Sequence, residues 1–160
     1  TGHLAAADQR VTLFEFALRH LLRRHLEQRF SPRPPRMVQI YAIRGVQQEC
    51  SRVLSAMARA GHGDEAQAEQ AFARGQLVLH EAKAEFSFLP SAECGPAALD
   101  RALAALDATS PPVKRRLLAA CLECLAHDGR VTAAEVELFR ALADALGCPV
   151  PLWLDLPAAA

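Results

Sequence analysis

The sequence predicts an all-α fold, a helical bundle of about six to seven helices, and three observations carry that prediction. Alanine and leucine are abundant while β-branched and aromatic residues are scarce, a balance that favours helix over sheet. Apolar residues recur at three- and four-residue intervals through most of the chain, as one face of a helix requires. A block of sequence also occurs twice, 120 residues apart: Asp8-Gln9-Arg10-Val11-Thr12-Leu13-Phe14-Glu15 is echoed by Asp128-Gly129-Arg130-Val131-Thr132-Ala133-Ala134-Glu135. The agreement continues at the same offset, Leu18 with Leu138, Leu22 with Leu142 and Leu26 with Leu146. Each copy is a helix-start signal followed by one apolar stripe, so two helix-turn-helix repeats are expected.

The first copy opens with a capping box. The Thr12 hydroxyl is placed to accept from the Glu15 N–H, and the Glu15 carboxylate to reach back to the Thr12 N–H. Leu13, Phe14, Ala17, Leu18, Leu21, Leu22, Leu26 and Phe30 then form an inward stripe. Ser31-Pro32-Arg33-Pro34-Pro35 ends the helix, and residues 31–36 read as a stiff linker. A second helix is expected from Met37 to about Ala60, with Ile40, Ile43, Val46, Cys50, Val53, Leu54 and Met57 inward and Gly61-His62-Gly63 ending it. Asp64 caps a shorter helix to about Arg74, stopped near Gly75, and residues 76–89 read as helix followed by an extended turn. Gly95-Pro96 opens a helix to about Ala108 with Leu99, Leu103 and Leu106 apolar. Ser110 is a good N-cap with Pro111 in the first turn, and that helix runs through Leu117, Leu118, Cys121, Leu122 and Leu125 to Gly129. Thr132 and Glu135 cap the last helix, which carries Val136, Leu138, Phe139, Leu142 and Leu146 inward and ends at Gly147. Cys148-Pro149-Val150-Pro151 and Trp153 form a tail across the bundle.

At 160 residues the chain has the length of one domain, and residues 1–160 read as a single soluble helical domain with repeat-like hairpins around 1–30 and 111–147. In the second copy a full helix precedes Asp128, whereas Thr1 to Ala7 leave room for two turns, so the chain is expected to be a fragment beginning inside a helix. Hydrophobic residues make up 51%, charged residues 22%, and the net charge is zero, which excludes a disordered or generally polyanion-binding chain. No nucleic-acid partner is expected. No apolar run reaches the roughly 18 residues of a membrane span, and no secretory signal is present. Five cysteines in no framework spacing suit a reducing compartment.

Candidate chemistry is sparse. Asp128 and Glu135 bring two carboxylates to one turn, but a calcium loop needs about five or six oxygen ligands from several acids. Helix capping accounts for both residues, and Gln9 in place of glycine weakens a metal reading of Asp8 and Glu15 further. Cys121 and Cys124 form C-x-x-C on the inward stripe of a helix, where core packing is expected; zinc would need two more ligands, for which His127 and Cys148 are the nearest imaginable. His80-Glu81-Ala82-Lys83-Ala84 begins like H-E-x-x-H and fails at Ala84, so no hydrolytic zinc site forms there. The first 36 residues hold seven arginines (10, 19, 23, 24, 29, 33, 36) against Asp8, Glu15 and Glu27, a local excess of four positive charges. That excess suits a solvated face, an acidic protein partner or an anionic membrane surface near the first helix.

Pro111-Pro112-Val113-Lys114-Arg115-Arg116-Leu117-Leu118, Ala126-His127-Asp128-Gly129-Arg130-Val131-Thr132, Glu135 and Leu146-Gly147-Cys148-Pro149-Val150-Pro151 together resemble the C-terminal region of bacterial HtpX-like membrane zinc metallopeptidases. Asp8 to Leu18 and Ala58-Arg59-Ala60-Gly61-His62-Gly63-Asp64 look like preceding parts of that region. The Asp-Gly-x-Val-x-x-x-Glu hairpin is also similar to TerB-like domains of tellurite-resistance and stress-linked proteins. The first resemblance implies an upstream peptidase domain with H-E-x-x-H, its zinc and transmembrane helices, all outside these residues. It implies a cytoplasmic-facing accessory domain of an inner-membrane protein, without catalytic residues or a cofactor of its own. Its partner would be another protein or the parent's own peptidase domain. The TerB-like resemblance implies metal binding at Asp128 and Glu135, with Gln9 departing from the pattern in the first copy.

Overall fold

The computed structural model describes residues 40–80 and 84–148, together with seven helical positions nearer the N-terminus: Glu15, Leu18, Arg19, Leu22, Arg23, Leu26 and Phe30. Among the described residues the architecture is all-α. Besides those N-terminal helical positions, five α-helices run in order among the described residues: α1 (Gln47–Gly61), α2 (Glu65–Leu79), α3 (Pro96–Asp107), α4 (Pro111–Leu125) and α5 (Ala133–Ala145). Short 3-10 turns at Ile43–Val46, Ser91–Cys94 and Ala126–Asp128 lead into or join them. The Thr12 cap, the linker at 31–36, the inward positions Leu13, Phe14, Ala17 and Leu21, and the Trp153 tail lie outside the described residues.

One core joins these helices. It is built from Cys50, Leu54 and Met57 of α1, Ala71 and Leu79 of α2, Leu103 and Leu106 of α3, Leu117, Cys121 and Cys124 of α4, and Leu138, Leu142 and Leu146 in and just after α5. The inward stripe expected for the second helix is therefore buried from Ile43 to Met57, while Ile40 is half-buried. That helix starts later than Met37. Ile40 instead pairs with the turn after α3, its carbonyl accepting from Ser110 N–H at 2.9 Å, in an isolated parallel bridge with Thr109.

Helix α2 corrects the expected stop near Gly75. The helix continues to Leu79, which merges two expected helices into one. Gly75 is there for contact: a Cβ added to it would lie 2.6 Å from the Ala120 carbonyl oxygen and 3.2 Å from Cys124 Cβ. A missing side chain lets α2 and α4 touch backbone to backbone. The actual end of α2 is held by Arg116 of α4, which donates Nε to the Val78 carbonyl at 3.2 Å and a second N–H to the His80 carbonyl. An arginine from another helix thus satisfies the last carbonyls, a role glycine caps serve elsewhere.

The expected extended turn is present at residues 84–90, and its place against α1 follows a matched spacing. Gln47 Oε1 accepts from Glu85 N–H at 3.3 Å, Ser51 Oγ from Ser87 N–H at 3.2 Å, and Ser55 Oγ from Leu89 N–H at 3.0 Å. Four helical residues rise about 6 Å, and two extended residues rise about 6.6 Å. Polar side chains at every fourth position of α1 therefore meet every second amide of the segment. Arg59, the next position in that series, donates to the Leu89 carbonyl at 2.6 Å, forms a bidentate pair with Glu65 and lies 4.2 Å from the centre of the Phe88 ring. Phe86 and Phe88 alternate inward between these anchors.

Candidate functional site

The turn between α4 and α5 holds the two carboxylates singled out by sequence. Helix α4 closes through the 3-10 turn to Gly129, whose φ of 74° is the left-handed conformation open to glycine at little cost. Asp128 is exposed, and its Oδ1 accepts from Arg130 N–H at 2.9 Å, folding the turn locally. Thr132 and Glu135 form the expected capping box: Thr132 Oγ1 accepts from Glu135 N–H at 3.3 Å, and Glu135 Oε2 accepts from Thr132 N–H at 2.7 Å. Glu135 is only 3% exposed. Its other oxygen sits over Gly61 at the end of α1, 3.8 Å from where a Cβ would stand.

A histidine that sequence reading passed over completes this region. His62 is buried, with Nε2 3.0 Å from the Cys124 carbonyl, and its ring meets His127 edge to face at 5.7 Å between centroids. A carbonyl oxygen only accepts, so His62 donates from Nε2. The Gly61-His62-Gly63 run was the available signal, legible as a chain break but not as a contact with α4. Among the described residues, no three or more His, Cys, Asp or Glu side chains gather where they could hold a metal ion.

The cysteines sit where the apolar stripe placed them. Cys50, Cys121 and Cys124 are fully buried. Burial pushes the Cys50 and Cys124 thiols up to about 12, and the Cys121 thiol is raised for the same reason. A thiol held neutral by burial is a poor nucleophile, because the thiolate is the reactive form. Cys94 is half-buried and raised by burial, partly offset by Arg59 and Arg52. His80 is exposed at the end of α2, and Glu81 and Lys83 lie outside the described residues.

The first helical stripe departs from expectation. Leu18, Leu22, Leu26 and Phe30, assigned inward by periodicity, are 42%, 54%, 55% and 75% exposed. Their counterparts in the second copy, Leu138, Leu142 and Leu146, are 0%, 3% and 0% exposed. Periodicity identifies a stripe but not what covers it, which is why the sequence reading failed here. Arg23 ties this helix to α3, donating two hydrogen bonds to Asp100 at 3.0 and 3.2 Å. Arg19 beside the ridge is also exposed. No helix among the described residues is long and apolar enough to cross a membrane. No family model, curated protein or solved structure matches the chain.

Proposed function

We propose that this chain is a noncatalytic helical interaction module, the accessory domain of a bacterial membrane zinc metallopeptidase. The observation that carries this reading is the outward ridge of Leu18, Leu22, Leu26 and Phe30. Four large apolar side chains in one row in water mark a docking face more readily than a fold element. The resemblance of the chain to HtpX-like C-terminal regions supplies the class of parent, whose own peptidase domain carries the zinc and cleaves the substrate. The test uses the full-length gene product. An upstream H-E-x-x-H between apolar spans is expected, and the double variant Leu22→Asp, Leu26→Asp is expected to change its peptidase output. Specific proteolysis by the purified 160-residue chain, surviving active-site controls, overturns the reading.

A second reading is a TerB-like metal-binding module acting through Asp128 and Glu135, and it draws on the two carboxylates that bracket the Gly129 turn. It is the weaker one, because Glu135 already serves its own helix start and a metal would compete with a cap worth about 1 kcal/mol. Calorimetric titration with calcium, magnesium and zinc decides it: heat that disappears in Asp128→Ala supports metal binding, and no heat with the wild type rejects it.

A further inference from the structure

We propose that the Leu18, Leu22, Leu26 and Phe30 ridge docks one amphipathic α-helix of a partner polypeptide, aliphatic along one stripe and acidic along its flanks. The inference rests on the interaction-module reading and names its partner. Residues four apart on a helix are offset by about 40°, so the four side chains share an arc of about 120°. That width suits a single helix packing ridge into groove rather than a broad sheet or a globular surface.

The internal repeat shows what kind of surface buries this stripe. Leu138, Leu142 and Leu146 stand at the same offsets in the second copy and belong to the core. The helix before them, α4, packs against α5 and brings aliphatic and small residues, Leu117, Leu118, Cys121 and Leu125, into that same core. One sequence pattern therefore meets a helical cover in one copy and, among the described residues, stands exposed in the other. A partner helix would supply at the first copy the kind of cover that α4 supplies at the second.

Charge selects the flanks of the partner and argues against a lipid surface. Glu15 lies seven residues before Leu22, and Arg19 seven before Leu26, so both share the face of the leucines. Both are exposed. A face that inserts among acyl chains carries a continuous apolar arc, because ionised groups in it are costly. Interleaved charges suit a helix–helix contact, where flanking residues pair across the seam. Arg23 is engaged by Asp100, and between Glu15 and Phe30 the sequence further carries Arg19, Arg24 and Arg29 against Glu15 and Glu27, so glutamates or aspartates on the incoming helix are favoured.

The test measures fluorescence anisotropy of a labelled synthetic helix bearing the α4 aliphatic stripe with glutamate flanks, titrated with the full 160-residue chain. A peptide with the same stripe and lysine flanks serves as control. The acidic peptide is expected to bind, the lysine peptide to bind at least tenfold more weakly, and salt to weaken the acidic complex. Leu22→Asp with Leu26→Asp is expected to weaken binding by more than about tenfold, since it places two carboxylates where the contact would bury aliphatic side chains. These positions are exposed, so circular dichroism and the melting temperature are expected to stay unchanged, and Leu18→Gln provides an uncharged check. Equal binding by wild type and variant, or no binding of the acidic peptide, overturns the proposal. So does binding to phosphatidylglycerol vesicles, or self-association of the chain, that the same variant abolishes while the peptide is ignored. If the peptide fails yet the double variant still alters the parent's peptidase output, the helical partner is rejected and the interaction module stands.

Discussion

At the scale of single residues, burial decides the chemistry. Cys121 and Cys124 have the spacing of a metal knuckle or a redox pair, and both are fully buried in α4 with raised thiols. Unfolding returns such thiols to the ordinary value of 9.0, so the unfolded chain loses these protons first. The stability they contribute is fully present below about pH 9 and is lost as pH climbs towards 12. The urea midpoint is expected to fall through that window, and to fall less in Cys50→Ala with Cys124→Ala, measured against each protein's own midpoint at neutral pH. The burial of Glu135 is likewise decided by packing. Its carboxylate was legible as a cap three residues after Thr132, but its burial over Gly61 depends on α1 arriving there.

At the scale of elements, contacts between helices overrule local propensity. A mid-helix glycine ordinarily costs about 1 kcal/mol relative to alanine, so Gly75→Ala would stabilise an isolated α2. Here the new Cβ would stand 2.6 Å from the Ala120 carbonyl oxygen, backbone that cannot step aside as a side chain would. Gly75→Ala is expected to destabilise the protein by about 1–3 kcal/mol, read from urea unfolding. A net gain in stability would show that α2 and α4 do not approach as closely as described. The segment at 84–90 owes its place to the polar ladder of α1 rather than to a sheet. Ser51→Ala and Ser55→Ala remove the acceptors of Ser87 and Leu89 N–H, each at a cost of about 1 kcal/mol. Amide exchange is expected to quicken at those two positions and not within α4. Periodicity announced α1 and α4 clearly; it could not announce the ladder, because serines at every fourth position look like an ordinary wet face.

At the scale of the whole molecule, the repeat shows one pattern in two environments. Leu138→Ala empties a site in the core and is expected to cost about 2–5 kcal/mol. Leu22→Ala, an equivalent kind of position in the first copy, is expected to stay within about 0.5 kcal/mol because its side chain is 54% exposed. Chemical denaturation of the two variants side by side measures the contrast, and similar losses would mean that the first stripe is covered within the chain. The second stripe is part of the core that holds the fold, and the first stands exposed.

The all-α class, the helix starts at Asp64, Pro96, Pro111 and Thr132, the helix stops at Gly129 and Gly147, and the burial of Cys121 and Cys124 were determined by sequence alone. Each depends on spacing along a helix or on the backbone freedom of one residue, and both are local. The role of Gly75, the end of α2 on Arg116, the seating of His62 and Glu135, and the exposure of Leu18 to Phe30 were decided by tertiary structure. They depend on which surface lies opposite, and residues distant in sequence supply it. An apolar stripe does not state what lies against it; only the packed molecule shows that one stripe is buried and the other exposed.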